Sequence, residues 1–392
     1  MVRGIFCHDL PIYKDINGVY CCTTLTDDVF RRYFRVVDEL IVATRVYKLE
    51  CTFNEAHQER ITLPNIRFLE FPNLNKPQYV FTALPKAQKR LEEAMEEVDL
   101  IFIRGGILAL LGAKAARNLG KPYLMESAGC AWNDYWNHSL YGKIIAPYME
   151  YSFRKITRDA KFVVYVTEKW LQKRYPTNGI SDGVSDVILT RIDDSALDKR
   201  IAKIRGRKPG DPWIIGTTAG VNNKIKGQQF VIEAMAELGD RYNIRYELVG
   251  TGSTEYLRSI AKKYHVEDRV IFKGETTHEE VLSWLDSIDT YIQPSMTEGL
   301  PRALIEAMSR ACPVIGSTAG GIPELLESEV IFERGKVSKL ISIMTSFYES
   351  DWIKHSIINH KKAKEFQMDI LDERRGRVFD QYRDYVLLGG DV

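Results

Sequence analysis

Short apolar runs alternate with amphipathic segments of helix length from one end of this chain to the other, and that order points to repeated βαβ units. In the first half the runs predict strands at Gly4–Cys7, Glu39–Val46, Ile66–Glu70, Leu100–Arg104, Pro122–Glu126 and Phe162–Val166. Helices are expected near Lys86–Glu97, Leu108–Leu119, Tyr141–Thr157 and Glu168–Arg174. In the second half strands are expected at Trp213–Thr217, Tyr246–Val249, Val270–Phe272, Thr290–Gln293 and Pro313–Gly316, each followed by a helix. Strands connected through helices pair in parallel and are covered on both faces. No repeat with a period of roughly 20–50 residues competes with this reading.

The alternation breaks once. Between Thr190 and Pro212 the chain turns polar and charged, ending in KIRGRKPGDP, before Trp213 restarts the apolar runs. The predicted domains are therefore residues 1–208, 209–353 and a helical tail, 354–392. The fold class is α/β: two Rossmann-like doubly wound domains facing across a cleft at the carboxyl ends of their strands. Val378, Phe379, Tyr382, Tyr385 and Val386 form an apolar stripe on the tail, which must pack on the second domain or cross back to the first.

Charge and cysteine content exclude several functions. The 54 Lys and Arg against 53 Asp and Glu leave a net charge of +1, unlike a protein that binds nucleic acid through phosphate neutralisation. The six cysteines include no C-x-x-C pair or zinc spacing and read as buried thiols in a reducing cytosol. The amino-terminal apolar run meets His8 and Asp9 and reads as a first strand rather than a signal peptide. The stretch 101–111 is broken by Arg104 and two glycines and falls short of the ~18 apolar residues a spanning helix needs. The expected location is cytoplasmic, with any membrane contact peripheral.

The most informative segment is QPSMTEGLPRALIEAMSRACPVIGSTAGGIPEL, residues 293–325. Glu298 follows a strand and precedes Gly299, while Pro301 suits the first turn of a helix, so Glu298 is placed at the carboxyl end of the sheet, where ligands bind. Glu306 lies on the helix away from the Leu304, Ala307, Met308 and Ala311 stripe. Taken singly, each acid is as well explained as an ordinary solvated residue. The glycines change that balance, because Gly299 permits close backbone approach and free amides near a helix start favour anionic or hydroxyl-rich ligands. The cluster 317–321 is a second candidate nest for phosphate oxygens. Upstream, Lys224 and Lys226 stand near a helix amino end, a locally unfavourable position for cations that an anionic ligand would relieve.

These residues in this order resemble the retaining glycosyltransferases of glycosyltransferase family 4, which have the GT-B fold. The likeness is carried by the E-x7-E pattern in EGLPRALIEAM, followed by PVIGSTAGGIPEL and preceded by LVGTGS and VIFKGE, and it spans about residues 212–326. It implies a hexosyltransferase that takes a nucleotide-diphosphate-sugar donor and a glycan or lipid-linked glycan acceptor, in bacterial surface polysaccharide, capsule or lipopolysaccharide synthesis. By the same resemblance Glu298 and Lys226 are the catalytic pair, touching the donor sugar and the diphosphate. Glu306 would bind the ribose. Gly299, Leu300 and Pro301 would meet sugar hydroxyls, Lys224 would help with phosphate, and Gly274, Glu275 and Thr276 would meet the base. Gly18 looks like the family's glycine-rich loop that approaches the donor diphosphate from the other domain, and Glu126 is the candidate on the acceptor or sugar side.

Two positions depart from the pattern: Val221 stands where an arginine is usual, and Ala128 near where a histidine is often found. No metal or other cofactor is implied, since the lysine and backbone amides can stabilise a leaving nucleoside diphosphate. The segment 141–161 carries Lys143, Arg154, Lys155, Arg158 and Lys161 among Tyr148, Tyr151 and Phe153. It fits either anionic lipid headgroups or a solvated helix face with aromatic core residues. A nucleotide-sugar epimerase of similar fold and a catalytically silent glycan-binding subunit remain as alternatives.

Overall fold

The computed structural model describes residues 1–56, 58–75, 82–137, 139–190 and 192–389. The chain divides into two compact units, Met1–Val184 with Asp372–Val392, and Ser185–Leu371.

The first unit holds strands β1 (Arg3–Lys14), β2 (Tyr20–Cys21), β3 (Glu39–Lys48), β4 (Ile66–Phe71), β5 (Leu100–Arg104), β6 (Leu124–Ser127), β7 (Phe162–Tyr165) and β8 (Ile180–Gly183). They form one sheet in the order β4-β3-β1-β5-β6-β7-β8, parallel except for β2, which pairs antiparallel with β1. The central strands are apolar without alternation because both faces are covered: Ile5, Phe6 and Cys7 of β1 and Leu100 to Ile103 of β5 are buried. β1 runs on beyond the expected Cys7 to pair with β3 as far as Lys14, after a register shift between Cys7 and Pro11.

The tail joins this unit. In the last helix, Met368–Leu388, Phe379 packs on Tyr33 and Phe102, and the Tyr382 hydroxyl accepts from Ile101 N at 2.8 Å. Burying two such aromatics contributes about 1.5–3 kcal/mol each.

The second unit holds β9 (Trp213–Thr218), β10 (Ile244–Val249), β11 (Val270–Gly274), β12 (Thr290–Gln293), β13 (Val314–Ser317) and β14 (Ile331–Phe332). Their order, β11-β10-β9-β12-β13-β14, is the dinucleotide-binding order, which reverses direction between β9 and β12.

Two predicted boundaries are corrected. The first unit ends at Val184 rather than 208, because the helix Ser195–Gly206 belongs to the second. Its Arg200 donates to the Leu285 and Ile288 carbonyls at 2.6 and 2.5 Å, and Lys203 and Arg207 pair with Asp289. Those cations satisfy the carboxyl end of the helix His278–Ser287, so a stretch that reads as a solvated linker is packed. The tail likewise does not start at 354. The helix Trp352–Ala363 stays in the second unit, with Asn359 donating to the Cys312 carbonyl at 2.9 Å, and the chain leaves that unit only after Leu371.

Candidate functional site

The reversal in the second sheet gathers the carboxyl ends of β9 and β12, and two of the expected donor-site residues, Glu298 and Lys226, meet there. After β12 the chain runs through Pro294 and Ser295 to Glu298 before the helix Arg302–Ser309. One carboxylate oxygen, Glu298 Oε1, accepts from Ser295 Oγ at 2.7 Å, Lys226 Nζ at 2.8 Å and Gln293 Nε2 at 3.2 Å. Gln293 is oriented in turn by Tyr291, whose hydroxyl donates to its side-chain oxygen at 2.9 Å. The acid is thus fixed from both sides by residues that sequence reasoning missed; Gln293 and Ser295 lie only five and three positions upstream, but nothing in their type announced the role.

Lys226 reaches Glu298 because two loops dock. Lys224–Lys226 form a short 3-10 turn, closed by Gly227 at φ 78°, directly ahead of the helix Gln228–Leu238. A Cβ on Gly227 would lie 2.0 Å from the Pro294 carbonyl oxygen, and Met296 N donates to the Ile225 carbonyl at 2.8 Å. Only glycine allows this approach. Lys224 does not share the carboxylate contact; its Nζ lies over the Tyr256 ring, 4.3 Å from the centre.

The cluster 317–321 is a buttress, not the free nest its composition suggested. Thr318 N donates to Phe332, Ala319 N to the Ser317 hydroxyl and Gly321 N to the Gly299 carbonyl. Gly320, at φ 56°, sits where a Cβ would come 2.1 Å from the Glu298 carbonyl oxygen. This loop holds the backbone of Glu298 and Gly299 in place, while Leu300 and Pro301 lead into the helix.

Glu306 lies on that helix beside His278, with Nε2 at 3.7 Å from Oε1. The nearby Glu306 carboxylate raises the histidine pKa above its usual value. His278 was also missed: its capping box, Thr277 with Glu280, is legible in sequence, but its contact with Glu306 depends on tertiary packing. Gly274, the last residue of β11, at φ 79°, and Glu275, which follows it, are exposed ahead of that capping box. Three polar atoms around the site are buried without a hydrogen-bond partner: Thr218 Oγ1 at the end of β9, Gln228 Oε1 beside Gly227, and Thr276 Oγ1. Orphaned buried acceptors and donors are rare, and each of these three needs a partner such as water or a ligand.

In the first unit Gly18 adopts φ 78° in the turn joining β1 to β2, where Asp15 accepts from the amides of Asn17, Gly18 and Val19. The turn itself accounts for the glycine. Glu126 is buried near the reversal between β1 and β5, accepting from the Tyr33 hydroxyl at 2.6 Å, Arg104 at 2.7 Å and Arg32 at 3.0 Å. It orients two guanidinium groups. His8, beside them, is kept neutral, its pKa pushed down to about 3 by burial and by the Arg104 charge.

Among the described residues no helix is long and apolar enough to cross a membrane, and no group of three or more His, Cys, Asp or Glu is arranged to hold a metal ion.

The comparisons agree with this geometry. Residues 198–364 match the family described as Glycosyl transferases group 1. The chain is 30% identical over 367 residues to Protein CapJ of Staphylococcus aureus, covering 91% of this chain and 90% of that protein. It is 36% identical over 131 residues to a putative colanic acid biosynthesis glycosyltransferase, WcaL, of Escherichia coli K12, covering 31% of this chain and 32% of that one. Among solved structures, Anabaena HepE in complex with UDP superposes with a TM-score of 0.63 at 16% identity, over 97% of this chain and 100% of that chain. Sucrose-phosphate synthase from Thermosynechococcus elongatus gives a TM-score of 0.69 at 15% identity, over 97% and 99%. The chain belongs to the glycosyl transferases group 1 family and is a glycosyltransferase of GT-B fold.

Proposed function

We propose that this enzyme is a retaining hexosyltransferase of glycosyltransferase family 4 that moves a sugar from a nucleotide-diphosphate-sugar to a glycan or lipid-linked glycan in bacterial surface polysaccharide synthesis. It would work in the cytoplasm at the inner face of the cell membrane. The observation that carries the reading is the Lys226–Glu298 pair at the reversal of the second sheet. Relatives named for colanic acid and amylovoran biosynthesis, WcaL and AmsK of Erwinia amylovora, support the polysaccharide context.

In this reading Glu306 takes the ribose hydroxyls and Thr276, with Gly274 and Glu275, meets the base. Lys226, assisted by Lys224, exchanges its carboxylate partner for the diphosphate. Glu298 and the backbone of Gly299, Leu300 and Pro301 hold the sugar. As the bond from the anomeric carbon to the diphosphate oxygen breaks, negative charge grows on the leaving group, and the fixed ammonium stabilises it. The acceptor hydroxyl attacks from the same face and its proton passes to the departing phosphate oxygen. No metal or other cofactor enters these steps. On the first unit, Gly18 is counted with the donor-binding residues and Glu126 is assigned to the acceptor or sugar side.

The test is a transfer assay begun with UDP-sugars, because HepE was crystallised with UDP and UDP-glucose. The product should keep the donor's anomeric configuration by NMR. An inverted product would overturn the same-face route.

A further inference from the structure

The helix Leu140–Asp159 buries Gly142, Ala146, Met149, Glu150, Phe153, Ile156 and Thr157 and presents the opposite side to solvent. That outer side is not polar. Leu140, Ile144, Tyr148 and Tyr151 are 81%, 76%, 65% and 66% exposed. Spaced at four, four and three residues, they form one stripe along the helix, continued at the same spacing by Lys155 and Arg158. The aromatic residues expected in the core divide: Phe153 is buried, but both tyrosines face out. Single exposed apolar residues are ordinary, whereas a contiguous row of large ones marks an interaction surface.

Charge identifies the partner. The helix carries two carboxylates: Glu150, which is turned inward, accepting from the Tyr175 hydroxyl at 2.6 Å and pairing with Arg154 and Arg174, both at 3.0 Å, and its last residue, Asp159, whose Oδ1 lies 3.8 Å from Arg158 Nε, so that cations still outnumber acids on the outer side. The outer face therefore offers apolar and aromatic groups at one end and cations at the other, on a chain whose net charge is only +1. A second copy of the same face packed in parallel would bring cations against cations, and packed antiparallel would bring them against apolar groups. An anionic lipid surface complements both halves: leucine, isoleucine and tyrosine settle at the headgroup–acyl boundary while lysine and arginine meet phosphates.

We infer that the outer face of the helix Leu140–Asp159 is a docking surface for anionic phospholipid bilayers. The inference names the surface behind the peripheral location proposed above, yet it stands on this helix face and not on sugar transfer. Removing two apolar anchors lowers partitioning by at least about tenfold, and each cation removed lowers it by about fivefold at low salt.

Co-sedimentation with phosphatidylglycerol-containing vesicles, and with pure phosphatidylcholine vesicles as control, tests it on the full chain. The wild type should sediment with the anionic vesicles only, and less as salt rises. Ile144→Ser with Tyr148→Ser, and separately Lys155→Gln with Arg158→Gln, should lose sedimentation while keeping the wild-type circular dichroism spectrum and nucleotide response. Absence of anionic-vesicle binding at low salt, or equal binding by both variants, overturns the inference. So does a dimer in analytical ultracentrifugation that the Ile144/Tyr148 variant abolishes, because the face would then be covered by a second copy. Vesicle binding by a wild type that responds to no nucleotide would refute the donor site and leave the lipid surface standing.

Discussion

Replacing Glu298 by glutamine separates two roles that the site combines. Lys226 Nζ lies 2.8 Å from Glu298 Oε1, with side chains 28% and 10% exposed. Unit charges about 4 Å apart attract by ~1 kcal/mol in a water-like medium and ~4 kcal/mol near a protein surface. The partly exposed ammonium places this pair near the lower figure. Glutamine preserves the shape and can still accept from Ser295, but it no longer neutralises the lysine. The freed ammonium should then bind a nucleoside diphosphate more tightly by ~1 kcal/mol, about fivefold. Sugar transfer should fall, because the carboxylate proposed to hold the sugar is gone. Lys226→Met gives the opposite result for binding: one charge-assisted hydrogen bond of ~1.5–3 kcal/mol is lost, or about 10- to 150-fold in affinity. Calorimetric titration of the nucleoside diphosphate into the three proteins, with release of that diphosphate from the donor as the activity readout, covers both quantities. If Glu298→Gln binds the diphosphate more weakly than the wild type, Lys226 is not the diphosphate cation and the site is misassigned.

Three further outcomes follow from the same geometry. Gly227→Ala should cost about 1–3 kcal/mol and weaken diphosphate binding, since its Cβ would meet the Pro294 carbonyl at 2.0 Å. Gly239→Ala, at φ 63° with nothing within 4 Å, should spare binding. Thermal unfolding and titration of both variants decide it. Tyr382→Phe should lower the urea midpoint by the equivalent of about 1–3 kcal/mol, because it leaves the buried Ile101 amide without its acceptor. His278 has a folded-state pKa raised by Glu306, so its contribution to stability is complete below about pH 6.5 and fades as pH rises through the raised value. The pair is half exposed and worth under ~1 kcal/mol; a Tm–pH profile of His278→Gln should lack that decline.

How far the sequence led depends on the kind of contact. Strands such as Leu100–Arg104 and Thr290–Gln293 were legible to the residue because fully buried parallel strands are uninterrupted apolar runs. The two-residue strands β2 and β14 and the polar β8 carried no such signal. The domain boundary was misplaced because Arg200, Lys203 and Arg207 look solvated, while in the fold they cap a helix of the second unit. Glu298 and Lys226 were found as separate motifs, 72 residues apart, and their direct pairing needed the Gly227–Pro294 contact that only coordinates reveal. Glu126 reads as a candidate ligand group, but it is enclosed by Tyr33, Arg32 and Arg104, of which only the last lies on a predicted strand end.

The central claim is that a nucleotide-sugar binds at the reversal between β9 and β12 with its ribose on Glu306. The most direct measurement is thermal unfolding of the wild type and Glu306→Ala against UDP, GDP, ADP and CMP. A ligand at about 100 times its Kd stabilises by ~2.7 kcal/mol, well within reach of such a measurement. One nucleotide should raise the Tm of the wild type and leave Glu306→Ala, equally folded without ligand, little changed. An equal rise in both proteins, or none in either, would contradict the assignment.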